Sequence, residues 1–163
     1  MNDQWVVNAS PLIILAKIGR QHLLTLLPEK LVVPQAVVDE INVGPEDDPA
    51  RQFLATSNLT IVEIESNPNI VNWDLGAGET AVLSYASANI GWRAVIDDNM
   101  ARRCALTFSI PVIGTLGVIV RARRHGLIPA AVPIIKDIQA HGFRIDEKVI
   151  RVALRQLIDE EWL

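Results

Sequence analysis

The stretch Ala94-Val95-Ile96-Asp97-Asp98 constrains the fold of this chain most strongly. Three apolar residues stop at two adjacent carboxylates, and a helical run from Asn99 to about Phe108 begins at once. A short, wholly apolar strand fits a parallel sheet covered on both faces. Parallel strands need long crossover connections, usually helices. Charge at the carboxyl end of such a strand lies where open α/β sheets bind ligands. A second reading stands beside this one: Asp97 or Asp98 simply caps the next helix, because Asp is a favoured N-cap residue.

The rest of the chain repeats the pattern. Trp5-Val6-Val7 ends in Asn8-Ala9-Ser10-Pro11 and leads into a helical run from Leu12 to Ile18, and Gln21 to Leu27 adds a further helical turn or two. Leu31-Val32-Val33 is followed by Pro34 and a helix from Gln35 to Ile41; Ala50 to Ala55 is also helix-prone. Thr60 to Ile64 is a third strand candidate, suited to an edge, and Ser66 to Asp74 reads as an exposed connection. A helix starts in Leu75-Gly76-Ala77-Gly78-Glu79 and runs to about Ala88. Pro111-Val112-Ile113 runs into Gly114-Thr115-Leu116-Gly117 and a helix that ends near Gly126. Two last helices, Ala130 to His141 and Asp146 to Glu161, complete the chain. Alternating strands and helices predict an α/β fold with a mainly parallel sheet and helices on both faces. At 163 residues this is one domain, residues 1–163, with its core over 5–126 and C-terminal helices over 127–163.

Composition narrows the function classes. Half of the residues are hydrophobic and 21% are charged, which excludes a disordered chain. A net charge of −4 carries no global nucleic-acid signal, so any basic surface must be local. The single cysteine, Cys104, excludes an internal disulfide, and its helical Ala/Leu surroundings predict an inert buried thiol. No basic segment with a long apolar stretch opens the sequence, so neither a signal peptide nor a membrane span is expected, and a cytoplasmic location is. His22, His125 and His141 lack metal-ligand spacing.

The remaining acids extend the pattern of Asp97 and Asp98. Glu79 heads the stripe Glu79, Val82, Leu83, Ala86, the face that should meet the sheet. It is either a first-turn partner of the helix dipole or a functional acid. Glu40 shares a face with Ala36 and Val37 near the end of its helix, where an acid opposes the dipole. If Glu40, Glu79, Asp97 and Asp98 converge, their mutual repulsion raises their pKa values, and a divalent cation resolves the conflict. All-oxygen donors suit Mg²⁺ or Mn²⁺ rather than zinc.

Four motifs, Asn8-Ala9-Ser10-Pro11-Leu12-Ile13, Val37-Val38-Asp39-Glu40-Ile41, Gly76-Ala77-Gly78-Glu79 and Ile96-Asp97-Asp98-Asn99-Met100-Ala101-Arg102, together resemble the PIN domain. Gly114-Thr115-Leu116-Gly117-Val118 resembles one PIN-like branch of nucleic-acid-binding proteins, and Gly142-Phe143-Arg144-Ile145 resembles its tail. The resemblance implies a three-layer α/β/α sandwich and a Mg²⁺- or Mn²⁺-dependent ribonuclease, often the toxin of a VapC-type toxin–antitoxin pair. Carried over by residue, it implies metal or catalytic roles for Glu40, Glu79 and the Asp97-Asp98 pair, and a supporting hydroxyl at Ser10. Thr115 stands at a helix start, where its N–H and hydroxyl could hold phosphate or merely cap. Asn8 departs from the pattern, since the family usually has Asp there: an amide oxygen can still coordinate a metal but brings no charge.

RNA is the implied substrate, with Arg102 and Arg103 beside the acids as its phosphate contacts. Arg121, Arg123 and Arg124 are explained by the dipole of their own helix. Trp73 and Trp92 read as packing residues, and the apolar face of the last helix as packing on the domain, with a homodimer or an antitoxin protein as further partners. The alternative function is a non-catalytic PIN-like module that binds RNA or protein through a degenerate site. A receiver-like domain is disfavoured because no lysine suitably ends a later strand. A dinucleotide-binding domain is disfavoured because Gly76-Ala77-Gly78 follows a polar loop rather than a strand.

Overall fold

The computed structural model describes residues 3–163. The chain opens with β1 (Gln4–Val7), α1 (Ala9–Lys17), α2 (Leu23–Leu26), β2 (Lys30–Pro34), α3 (Gln35–Asn42), α4 (Pro49–Thr56) and β3 (Thr60–Val62). It continues with α5 (Pro68–Val71), α6 (Ala77–Ala88), β4 (Trp92–Val95), α7 (Asn99–Thr107), β5 (Val112–Ile113) and α8 (Thr115–Arg124). Two helices, α9 (Val132–Ala140) and α10 (Glu147–Leu154), close it. The five strands form one all-parallel sheet in the order β3-β2-β1-β4-β5, so the α/β sandwich expected from the sequence is the fold observed. Among the described residues no helix is long and apolar enough to cross a membrane.

Strand order sets the position of the site. The chain builds outward from β1 through β2 to β3, then returns to the other side of β1 for β4 and β5. The order therefore reverses between β1 and β4, and the crevice outside their carboxyl ends is the usual ligand position in such sheets. Register places the relevant residues level with one another. Val7 pairs with Val95, and Val95 with Ile113. The ladder then continues by one bond on each side, Asn8 N–H to the Val95 carbonyl (3.0 Å) and Ile96 N–H to that of Ile113 (2.9 Å).

The two central strands are buried on both faces: Trp5, Val6, Val7, Ala94, Val95 and Ile96 are all fully inaccessible. Helix α6 lies against β1, β2 and β4 through Val82, Leu83 and Ala86, the stripe expected from its spacing. Helix α8 packs on β5 and meets α1, α9 and α10. Where α8 ends, Gly126 takes a left-handed backbone (φ +73°) that favours glycine.

Two expectations are corrected. Ser66 to Asp74 is not simply an exposed connection. Asn67 accepts from the N–H of Asn69 (3.0 Å) to start α5, and Ile70 is fully buried, its short helix lying against α6. Asn-Pro is an N-cap followed by the one residue that fits a first helical position without loss, and it served as a helix start rather than a turn. The last helix stops at Leu154 instead of running to Glu161. Beyond it the Glu160 carboxylate accepts from the N–H groups of Ala131 (2.7 Å) and Val132 (2.8 Å) at the start of α9, a tertiary contact that pulls the chain out of helix. The apolar face of α10 divides accordingly, with Ile150 and Leu154 buried and Val149 and Val152 exposed.

Candidate active site at the strand ends

Asn8 follows β1 and starts α1, but its side chain caps nothing. It is 2% exposed, and its Oδ1 is buried without a hydrogen-bond partner. An orphaned buried carbonyl oxygen costs about 1–3 kcal/mol, so such an atom in a native site calls for an explanation. The explanation lies in the neighbouring geometry. A Cβ placed on Gly78, in the first turn of α6, would lie 3.0 Å from Asn8 Oδ1 and 3.7 Å from Glu40 Oε2. Because Gly78 has no side chain, both oxygens flank the same space.

Glu40 reaches that space from the end of α3, which packs against α6. Desolvation, and secondarily the charge of Glu79, push its carboxyl above the ordinary value. Glu79 is half-buried in the first turn of α6 and folds back over Gly76, where an added Cβ would stand 2.5 Å from its Oε2. Asn8, Glu40 and Glu79 thus share one corner, with two negative charges near each other and no cationic partner on either among the described residues.

Asp97, one residue beyond the buried Ile96, turns towards α8. Thr115 donates its backbone N–H (2.8 Å) and its hydroxyl (2.6 Å) to the two carboxylate oxygens. Thr115 is almost fully buried, so its polar groups hold Asp97 rather than facing solvent. Gly114 leaves room for this arrangement: a Cβ there would fall 2.8 Å from Asp97 Oδ1 and 2.9 Å from Arg102 Nη1. Asp98 is spent differently. Its Oδ2 accepts from Ala101 N–H (2.9 Å) and caps α7. The capping reading of the acidic pair is thus realised by Asp98, while Asp97 is held at the sheet edge by Thr115.

Ser10 is exposed in the first turn of α1, and Arg102 and Arg103 are exposed on α7. Asp3 lies at the other edge of the sheet, at the entrance to β1, with Arg93 and Arg121. Cys104 is fully buried and burial pushes its thiol up, in keeping with an inert group. Trp92 packs edge-on against Tyr85, ring centroids 5.0 Å apart. Sequence reasoning missed Gly78 and Gly114 as makers of space; the only available signal was their place inside motifs quoted for other residues.

Among the described residues no three Asp, Glu, His or Cys side chains converge as a metal cluster. What gathers is a smaller all-oxygen set of mixed charge, the orphaned Asn8 amide oxygen with the Glu40 and Glu79 carboxylates, while Asp97 stands apart on the adjacent strand end, held by Thr115. In donor chemistry it fits a hard divalent cation, and the gap at Gly78 gives the Asn8 oxygen somewhere to point. A family model described as DUF3368, a PIN domain, matches residues 4–159. No curated protein matches the sequence.

Proposed function

The chain belongs to the PIN-domain family, whose members are generally nucleases, and from that premise we propose that it is a Mg²⁺- or Mn²⁺-dependent endoribonuclease acting on single-stranded or looped RNA. The observation that carries the proposal is the unpartnered Asn8 Oδ1, set with Glu40 around the space that Gly78 leaves open. Asn8, Glu40 and Glu79 would hold the ion, with Asp97 as the donor from β4. When bound, the ion supplies a water of lowered pKa and charge stabilisation at the phosphate.

The chain's own residues divide the remaining work. Glu40 and Glu79 provide the negative charge that selects a cation, and desolvation, with the Glu79 charge adding to it, keeps Glu40 easier to protonate than an ordinary carboxyl. Thr115 fixes Asp97 in one orientation, which avoids reorganisation during reaction. Arg102 brings positive charge next to Asp97, where the RNA backbone must approach an otherwise acidic corner. The motif resemblance to VapC-type toxins supports a toxin held by an antitoxin protein as its setting.

A second reading has its own observation. Asn8 supplies no charge, and three carboxylates do not converge. On that reading the domain binds RNA without cutting it. Incubating a mixed single-stranded RNA pool with Mn²⁺, Mg²⁺ or EDTA separates the two. The nuclease cleaves only with metal, and Glu40→Gln or Asp97→Asn lowers the rate by about 10²-fold. Activity gained only on Asn8→Asp, or RNA bound but never cut, would establish the binding module.

A further inference from the structure

A cavity of about 590 Å³ opens beside Asp97, between β5 with the start of α8 and the C-terminal segment 143–156. Its walls are largely apolar, from Ile113, Leu116, Phe143 and Val152. Val149 and Val152 are 52% and 57% exposed, although they sit on the side of α10 that lines this space. Two arginines from distant parts of the chain, Arg102 on α7 and Arg144 before α10, stand at the same cavity. Among the described residues neither has a carboxylate within 4.0 Å. Asp146, the other acid at the wall, is occupied as the cap of α10, where it accepts from Lys148 N–H (2.8 Å).

We propose that this cavity is a nucleotide-selecting subsite: it seats one base of single-stranded RNA against Phe143 and Val152, with the adjoining phosphate on Arg102 and Arg144. The proposal rests on the ribonuclease reading above and names how that site chooses its substrate. Size agrees, since pockets of about 300–1,000 Å³ take small organic ligands, and a nucleotide fits where a duplex does not. Asp97 and Asp146 at the same wall balance the two arginines in formal charge. A phosphate would therefore be held by direct contact with the Arg102 and Arg144 guanidinium groups, neither of which is engaged by a carboxylate among the described residues, rather than by a net positive field. Asn99 and Gln156 line the same cavity, and their amides present both donors and acceptors to the edge of an unstacked base. Shared use of Asp97 places the seated nucleotide next to the acidic corner, so the identity of that base would set where the chain is cut.

The test is fluorescence anisotropy with short labelled oligoribonucleotides that differ at one base, in EDTA, using the full-length protein. Binding is then read without cleavage. Wild type should prefer one of the four bases. Val152→Trp, at an exposed helical position, should fill the cavity, weaken binding about tenfold and erase the preference. Arg144→Gln should flatten the dependence of log Kd on log salt by about 0.7, the signature of one lost phosphate contact on a single strand. Loss of binding in these variants supports the subsite even if no RNA is ever cut. Metal-dependent cutting by a protein whose affinity, base preference and salt slope survive both substitutions overturns the subsite and leaves the nuclease. A wild type that binds none of the oligomers but retains an amphipathic peptide in the cavity also overturns it, in favour of a protein occupant.

Discussion

Glu40 shows what the acidic corner costs the free protein. Its pKa is raised, so between the unfolded and folded values the native state holds more protons than the unfolded chain. Stability therefore falls as pH rises through the folded pKa, and the loss is complete at neutral pH. Glu40→Gln should stabilise the metal-free protein at pH 7, by less than about 1 kcal/mol because the group reaches solvent. That advantage should disappear below the ordinary glutamate value of 4.5. Denaturant melts across pH 3–8 (about that range, spanning ordinary carboxyl titration) would show it. Mn²⁺ should reverse the order at neutral pH by raising the Tm of wild type more than that of the variant, since a ligand stabilises only the state that binds it. A substitution that stabilises the fold while removing activity is the usual mark of a functional acid.

At the scale of elements, the first turn of α6 is built to leave a gap. Glycine within a helix costs about 0.5–1 kcal/mol relative to alanine, yet Gly78 is buried there. Gly78→Ala should keep the fold, with helix propensity gaining about what crowding at Asn8 Oδ1 (3.0 Å) takes away. Cleavage and the Mn²⁺-dependent rise in Tm should both be lost, because the added methyl occupies the space that Asn8 and Glu40 share. Retained metal binding in this variant would move the site elsewhere. Helices α7 and α8 show a related economy: Asp98 caps one, while Asp97 is held by the first residue of the other.

Across the whole molecule, the edge of the sheet opposite the site is tied by charge. Asp3 at the start of β1 bonds Arg121 from the end of α8 and lies 3.5 Å from Arg93 on β4, with the Trp5 indole also 3.5 Å away. Burial alone would raise its carboxyl, but the Arg121 hydrogen bond and the two arginine charges outweigh that and hold it low. A depressed pKa contributes stability above the unfolded value of 3.8 that is lost as pH falls through the folded one. Asp3→Asn should therefore cost about 1–2 kcal/mol at neutral pH and converge with wild type in acid, as read by thermal melts. RNA cleavage should be unchanged, since the opposite sheet edge carries the acids.

Local signals carried the sequence a long way. Apolar runs ending in acids, prolines at helix starts and glycines at helix ends all act within a few residues, so the α/β class with a mainly parallel sheet was legible from them, whereas the strand order β3-β2-β1-β4-β5 was not. Glu40 stood out because an acid near a helix C-terminus has no local reason to be there. Other decisions lay between residues far apart in the chain. Asp97 and Asp98 are adjacent and chemically identical, and only Thr115, eighteen positions on, separates the acid held at the sheet edge from the cap. The end of α10 depends on Glu160 reaching the start of α9. The cavity joins Arg102 to Arg144, and no periodicity in the sequence connects them. Secondary structure follows from interactions the backbone makes with its near neighbours. The positions of charges relative to one another follow from packing, which only the folded chain decides.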